Sequence, residues 1–273
     1  MITKTNTLLD NQHSIATVNH VMIKNKYHVE ASDRKEVEPI IMNNHYAHRM
    51  PMIQYAFKLV DNDDKIVGII TYGIPASHSL VVGVAGEENQ SYVVELNRLW
   101  TEDNLPRNTL SYFVSTSLKM IGNHIVVSYS DTGMHHNGFI YQATNFIFTG
   151  QTKKRTDIYT GVGKHSRHYS ENADKDLRIV RTPKNRYVIV VGDKKFKRNK
   201  ISEIKYPKLP YPKEDNEHYK VGDSKKEIVF RRTKWVTAYV WTYKQQEKNN
   251  YVNIKGGRKW HLMKHKIYYW NKD

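Results

Sequence analysis

The stretch SYSDTGMHHNGFIYQATNFIFTG, residues Ser128–Gly150, decides the fold class. The apolar run that precedes it predicts a buried strand, HIVVSYSD, which ends in an acidic residue. A loop with two adjacent histidines then leads into a short helix, GFIYQATNF, and a further strand begins at FIFTG. Strand, polar loop, helix and strand in this order predict an α/β crossover. Open α/β sheets bind their ligands beyond the carboxyl ends of strands, so the polar loop is a candidate site.

The sequence before this stretch predicts further strands and two helices. The apolar segments QYAFKLVD and KIVGIITYG flank the turn-forming cluster Asp61–Asp64 and predict a hairpin. A helix is expected over EVEPIIMNNHYAHRM until Pro51 stops it, and another over PRNTLSYFVSTSLKMI, with SYVVELNRLW as the strand between them. We therefore predict an α/β (α+β) fold with a mixed, mainly antiparallel sheet flanked by helices.

The charge is distributed unevenly along the 273 residues, whose net charge is +16. Residues 1–150 contain 11 Lys and Arg against 14 Asp and Glu, whereas residues 151–273 contain 32 against 13. Basic residues interleaved with tyrosine and tryptophan predict a surface for a polyanion such as double-stranded DNA. The chain has no cysteine and no long apolar run, so we expect a cytoplasmic protein without a disulfide, thiolate chemistry or a membrane partner.

Composition also suggests three segments. Residues 1–18 are a polar lead-in, and residues 19–215 carry the predicted catalytic domain with basic C-terminal strands. The proline-rich YPKLPYPKED marks its end, and residues 216–273 read as a small basic and aromatic β-rich appendage. The oligomeric state is not determined by these patterns.

Two resemblances give the segments a function. IYQATNF resembles the late helix of GNAT acyltransferases, although the glycine-rich phosphate loop of that fold is replaced by ELNRLWTEDNLPRNTLS. More narrowly, the chain resembles the Mom proteins of bacteriophages over about residues 40–215. The blocks that carry this resemblance, in order, are NNHYAHRMP, GIITYGIPAS, ELNRLW, LPRNTLSYFVSTSLK and SYSDTGMHHNGFIYQATNFIFTGQT.

The Mom resemblance implies an enzyme that converts adenine in phage DNA to N6-carbamoylmethyladenine and so blocks restriction. It further implies acetyl-CoA as a cofactor, and iron(II) as a second one. The GNAT resemblance implies that Tyr141 lies beside the coenzyme A sulfur, where a phenol can protonate the departing thiolate or orient the thioester carbonyl. Without that resemblance, Tyr141 would be interpreted as a core aromatic.

A helix start is the candidate cofactor site. Arg107, Asn108, Thr109 and Ser111 follow a proline at the beginning of a predicted helix. Helix N-termini present unbonded amides and a positive dipole end that suit a pyrophosphate. Ordinary N-capping by asparagine or threonine is the alternative. Asn97, on the preceding strand, is assigned to cofactor binding with them.

Candidate catalytic and metal-binding residues lie in three segments. Asp131 is a candidate base or metal ligand, although aspartate is also common in turns. His45 and His48 would share one face of a helix, with Tyr46 between them, and two imidazoles with a carboxylate form a non-haem iron site. Asp131 or Glu95 would supply the carboxylate, and we assign the metal to His48 and Asp131, with His45 or His136 as a third ligand. The chance grouping of 14 histidines is the alternative.

Glu95 is the remaining catalytic candidate. It lies on the strand before the cofactor helix and either serves the site or pairs structurally. Strict alternation would place Glu95 and Asn97 on one face of the sheet and Arg98 on the other. Two further functions remain open for the whole chain: a conventional GNAT N-acetyltransferase acting on RNA, protein or a small amine, and a non-catalytic DNA-binding protein.

Overall fold

The computed structural model describes residues 23–160, 176–213, 225–230, 235–242, 250–254, 258–262 and 267–271. The helices are α1 (Arg34–Asn44), α2 (His78–Ala85), α3 (Thr109–Met120), α4 (Phe139–Ala143) and α5 (Lys194–Ile201). The strands are β1 (Tyr27–Ser32), β2 (Tyr55–Asp61), β3 (Ile66–Gly73), β4 (Val93–Thr101), β5 (His124–Asp131), β6 (Ile147–Gln151), β7 (Arg155–Ile158), β8 (Leu177–Arg181), β9 (Lys184–Val191), β10 (Lys225–Phe230), β11 (Trp235–Thr242), β12 (Asn250–Ile254), β13 (Arg258–Leu262) and β14 (Ile267–Asn271). The predicted lead-in, residues 1–18, lies outside the described residues.

The chain forms two compact units. The first takes the described residues up to Ser130 together with Gly138–Gly150 and Asn185–Lys213. The second takes Asp131–Asn137, Gln151–Lys184 and the described residues after 213. The loop Asp131–Asn137, which contains the two adjacent histidines, therefore belongs to the second unit. Strand β5 up to Ser130 and helix α4 belong to the first.

The first unit is built on a seven-stranded sheet in the order β1-β2-β3-β4-β5-β9-β6. Strands β1 to β4 pair antiparallel, and β5 runs parallel to β4 after the α3 crossover. The predicted hairpin is confirmed: Asp61 Oδ1 accepts hydrogen bonds from the amides of Asp63 and Lys65 in the turn between β2 and β3. The prediction of a mixed, mainly antiparallel sheet flanked by helices is confirmed as well.

Alternating side chains bury both faces of this sheet. On one face Tyr72, Leu96 and Val126 pack with Phe113 of α3 in the largest apolar cluster. On the other face Val93 and Val127 belong to a cluster with Val84 of α2. Burying a large apolar side chain contributes about 1.5–3 kcal/mol, so the two clusters fix which side chains of β4 and β5 point to which face.

The second unit contains a five-stranded sheet in the order β14-β11-β10-β8-β7 and the separate hairpin β12-β13. The predicted appendage supplies β10 to β14, and β10 pairs with β8 through Ile228 and Ile179. Because β7 and β8 precede residue 215, this sheet crosses the predicted segment boundary. Among the described residues, no helix is long and apolar enough to cross a membrane.

Candidate active site

An opening between two parallel strands organises the candidate site. The register of β4 and β5 runs from Val93 opposite Ile125 to Leu96 opposite Ser128. Beyond that pair, β4 continues to Thr101 and β5 to Asp131 without a further pair in their described register. The two strands thus part at their carboxyl ends, which is where open α/β sheets receive ligands.

A β-bulge at Asn97 changes the expected facing of β4. Thr71 of β3 lies opposite Arg98, while the next residue, Tyr72, lies opposite Leu96, so Asn97 is the extra residue. Skipping one residue reverses the alternation that follows. Arg98 therefore shares the face of Glu95, and the prediction that strict alternation would put them on opposite faces was wrong.

The bulge holds the segment that follows α1. Asn97 accepts a hydrogen bond from Thr71 Oγ1 at 2.6 Å and donates one from Nδ2 to Met52 O at 3.0 Å. Arg98 donates from Nε and Nη2 to the carbonyl of Arg49, at 3.1 and 2.7 Å. Both polar ends of Asn97 are thus engaged within the chain, Nδ2 with the segment that follows α1 and Oδ1 with β3, and its role in cofactor binding stays a prediction.

The predicted helical arrangement of the two histidines is wrong. Helix α1 ends at Asn44, and its C-cap is His45 in an extended conformation. His45 Nδ1 accepts the amide of Ala47 at 3.0 Å, whereas His48 has φ 43° and its Nδ1 donates to Met42 O at 2.7 Å. The segment departs from helix after Asn44 because these imidazoles bond locally to backbone groups.

Tyr46 stands near the opening. Its ring stacks on His45 with the centroids 4.4 Å apart. Burial lowers the pKa of Arg98, and the charges of Tyr46 and Glu95 act in the opposite direction. Tyr46 and Glu95 are thus within electrostatic range of Arg98.

Tyr141 projects from α4 into the core beside the last β4–β5 pair. It is 7% exposed, and its Oη lies 2.8 Å from Ser128 Oγ, which lies 2.9 Å from Leu96 O. Ser128 Oγ is the donor in both contacts, so its one proton is shared between Leu96 O and Tyr141 Oη, and Tyr141 accepts. The proton of the Tyr141 hydroxyl is not used in this bond, so the hydroxyl can donate it at the point where the strands part.

The surroundings keep Tyr141 protonated. Burial raises the pKa of Tyr141 far above its usual value, the bond from Ser128 opposes this, and Tyr46 and Glu95 raise the pKa further. The phenol is consequently neutral at physiological pH and can donate a proton but not remove one. Ser128 was not among the predicted site residues, and its signal in the sequence was a hydroxyl within a buried, mainly apolar strand.

The start of α3 has the features of an anion site. Asn108 takes the left-handed conformation, φ 71°, and its side chain makes no capping bond. Thr109 is fully buried, and its Oγ1 has no hydrogen-bond partner among the residues that the structure describes. Arg107 is exposed, and Ser111 Oγ donates to Asn108 O at 3.0 Å. Because ordinary capping is not what these side chains do, the residues fit a bound phosphate group.

Asp131 makes the contacts of a turn residue in the second unit. Its Oδ1 accepts the Gly133 amide at 3.0 Å and Thr182 Oγ1 at 2.6 Å, and Lys184 Nζ lies 3.5 Å from Oδ2. The backbone amide of His136 bonds to Asp131 O. These bonds account for an acidic residue at this point without catalysis or a metal, as the turn alternative stated.

The predicted iron ligands do not form a described cluster. His45 and His48 belong to the first unit, and Asp131 and His136 belong to the second. In the part of the chain that the structure describes, no three His, Asp or Glu side chains are grouped so that they could hold a metal ion. The described residues therefore do not fit the predicted iron site.

Comparisons with known proteins match the chain to one family. A model described as the Mom protein family matches residues 26–213. The methylcarbamoylase mom of Escherichia phage Mu is 32% identical over 116 residues, which is 41% of this chain. The match spans 48% of that relative, so the chain covers about half the length of the curated protein.

Solved acetyltransferase structures match at low identity. The spermidine N-acetyltransferase of Vibrio cholerae, in complex with CoA and spermine, is 10% identical with a TM-score of 0.36, and covers 60% of this chain and 95% of that one. A GNAT-family acetyltransferase of Bacillus cereus is 11% identical with a TM-score of 0.33, covering 60% and 96%.

Proposed function

This chain belongs to the Mom protein family, as its sequence predicted, and we propose that it is an enzyme that converts adenine in duplex DNA to N6-carbamoylmethyladenine. The family match carries the proposal. The relative named methylcarbamoylase supports a substituent of this composition, because methylcarbamoyl and carbamoylmethyl groups are isomers. Protection of phage DNA from restriction, in the cytoplasm of the host cell, is the proposed consequence.

We assign the chemistry to the opening between β4 and β5. Glu95 and Arg98 stand on one face of β4, and the Tyr141 hydroxyl stands at the last paired residues of β4 and β5. The lone pair of adenine N6 is delocalised into the ring, so N6 attacks well only if its proton is taken by a base. Glu95 is the proposed base, and Tyr141 is the proposed hydrogen-bond donor to the acyl carbonyl or the departing thiolate.

An acetyl thioester of coenzyme A is the proposed acyl donor. The start of α3, with Arg107, Asn108, Thr109 and Ser111, would hold its phosphates, and the orphaned Thr109 hydroxyl supports this assignment. When bound, the coenzyme would supply both carbons of the substituent: the methyl carbon, which becomes bonded to N6, and the thioester carbonyl, from which a nitrogen source displaces the thiolate. The residues at the start of α3 would orient the coenzyme, while Glu95 would remove the proton from N6 and Tyr141 would donate a hydrogen bond.

The proposed product requires an oxidant and a nitrogen source in addition to the acyl donor. In the carbamoylmethyl group, adenine N6 is bonded to the carbon that an acetyl donor carries as its methyl group. Forming that bond removes two electrons, so an oxidant and a nitrogen source act besides the acyl donor. Iron(II), which the family resemblance implies, would supply such redox chemistry, although the described residues do not group into a site for it.

Double-stranded DNA is the proposed macromolecular substrate, contacted by the basic C-terminal half. A base inside a duplex must leave the stack before N6 can reach the opening between the strands. The concentration of 32 Lys and Arg in residues 151–273 supports backbone contacts there, since phosphate neutralisation supplies most sequence-independent affinity.

Mass spectrometry of nucleosides tests the proposal. DNA is isolated from bacteria that express the chain and, as a control, from the same strain with an empty vector. We expect an adenosine derivative that is heavier by one carbamoylmethyl group only in the first sample. Unmodified DNA together with acetylated RNA or lysine would instead identify a conventional N-acetyltransferase.

A further inference from the structure

Helix α5, Lys194–Ile201, presents a cluster of cations at the surface of the first unit. Lys194, Lys195, Lys197 and Arg198 are all exposed, and none of the four forms an ion pair with a described residue. Like charges at these spacings repel one another on a helix. The helix therefore carries an electrostatic cost that an anionic ligand would relieve.

The packing of α5 turns these four cations outward. Phe196 packs into the apolar cluster of Val93 and Val127, with its ring 5.1 Å from that of Tyr92. Lys200 also faces the domain, where its Nζ lies 2.9 Å from Glu203. With 3.6 residues per turn, the four unpaired cations occupy the half of the helix opposite Phe196.

The length of the cationic surface suits a nucleic-acid backbone. Eight helical residues span about 12 Å. Each strand of duplex DNA carries one phosphate per about 3.4 Å of axis, so about three or four phosphates pass along such a helix. Four cations on one helix face match that number, and their long side chains can each reach a different phosphate.

The N-terminus of α5 is occupied by the carboxylate of Asp193 and does not offer its amides to a phosphate. The basic side chains of the helix would therefore make the phosphate contacts. Asp193 caps α5 by accepting the Phe196 amide at 2.7 Å and a bond from Asn123 Nδ2 at 2.9 Å. The pKa of Asp193 is lowered by these two bonds, and the carboxylate remains charged. A negative group at the N-terminus uses the helix dipole and repels a second anion there.

Helix α5 stands on the sheet face that carries Glu95. Phe196 of α5 and Val93 of β4 belong to one cluster, and Glu95 lies two residues after Val93 on the same face. We propose that the exposed face of α5 holds the phosphate backbone of the DNA duplex whose adenine is presented at the β4–β5 opening. This deepens the proposed function and rests on it for the identity of the duplex.

Duplex affinity measured against salt concentration tests α5. The full chain is compared with a variant carrying Lys194→Gln, Lys195→Gln, Lys197→Gln and Arg198→Gln. A control variant removes four other exposed lysines of the first unit by Lys24→Gln, Lys26→Gln, Lys35→Gln and Lys119→Gln. Circular dichroism and the thermal midpoint establish that all three proteins are folded.

We expect the α5 variant to bind a short duplex at least about tenfold more weakly, with the salt slope reduced by about three to four, because each phosphate contact contributes about one unit. The control variant should keep the wild-type slope. Equal slopes in all three proteins would overturn the proposal, as would equal losses in both variants. Wild-type binding to anionic phospholipid vesicles that exceeds duplex binding and is lost in the α5 variant would assign the helix to a membrane instead.

The readout is independent of catalysis. If cells expressing the chain yield no modified adenine while the α5 variant loses the salt slope, the proposed reaction fails and the DNA surface stands. If modified adenine is found and the slope is unchanged, the reaction stands and the assignment of α5 fails.

Discussion

Tyr141 Oη accepts a hydrogen bond from Ser128 Oγ, 2.8 Å away, at the last residue pair that joins β4 to β5. Ser128 Oγ also donates to Leu96 O. The hydroxyl that α4 contributes is thereby held at the edge of the strand opening, and its own proton is not used in the bond with Ser128. This relationship connects a buried core position with the chemistry that we assign to the site.

Tyr141→Phe should lower turnover by about 10²–10⁴-fold, because it removes only the donor hydroxyl. The lost hydrogen bond costs about 0.5–1.5 kcal/mol of unfolding free energy. The chain contains a matched control: Tyr72 Oη lies 2.7 Å from Ser117 Oγ in the same apolar cluster. Tyr72→Phe should cost similar stability and leave turnover nearly intact. The yield of modified nucleoside and the thermal midpoint are measured for both variants. Equal losses of activity in Tyr141→Phe and Tyr72→Phe would show that the Tyr141 hydroxyl contributes only to packing and stability.

Thr109→Val should stabilise the fold but weaken the binding of coenzyme A, so the two effects have opposite signs. A buried hydroxyl without a partner costs about 1–3 kcal/mol, so valine should raise the free energy of unfolding by about 1 kcal/mol. If the hydroxyl serves the coenzyme, affinity for coenzyme A should fall in calorimetric titration.

Thr144→Val is the matched control for that variant. Thr144 Oγ1 already donates to Ile140 O at 2.7 Å, so valine there should destabilise the fold and leave the coenzyme affinity unchanged. Unaltered coenzyme binding in Thr109→Val would remove the α3 start from the cofactor account.

Asp131→Asn should keep most of the activity, because asparagine retains an oxygen for the Gly133 amide and Thr182 Oγ1. Asp131→Ala should cost about 0.5–2 kcal/mol through loss of the cap. Nucleoside yield and thermal midpoint are measured for both. A folded Asp131→Asn protein that makes no modified adenine would restore the carboxylate as a base or a metal ligand.

Local sequence patterns predicted the hairpin at Asp61–Asp64, helix α3 and the β5–α4 crossover. Each depends on periodicity and turn residues within one segment. The bulge at Asn97 was not predicted, because a bulge is defined by the register of the partner strand. The end of α1 at Asn44 was not predicted. His45 and His48 form hydrogen bonds with the Ala47 amide and the Met42 carbonyl, two backbone groups that a continued helix would have used.

The candidate site was likewise predicted only where the pattern lies within one segment of the sequence. Tyr141 and Glu95 were identified from motif and strand position, and the structure places both near the β4–β5 opening. Ser128 was missed because only the fold brings it to Tyr141. The grouping of Asp131 with His48 followed from residue type alone, and their contacts are local to different units.

The most direct test of the central claim is the yield of modified adenine from cells expressing Glu95→Gln at the wild-type protein level. Glutamine preserves the shape of the side chain at the strand opening and removes the base. The control is Glu102→Gln, just after β4, where the carboxylate pairs with Lys65 at 2.8 Å. The account predicts a yield at least about 100-fold below wild type for Glu95→Gln and a near-normal yield for Glu102→Gln. A wild-type yield from Glu95→Gln would contradict the assignment of the chemistry to the opening between β4 and β5.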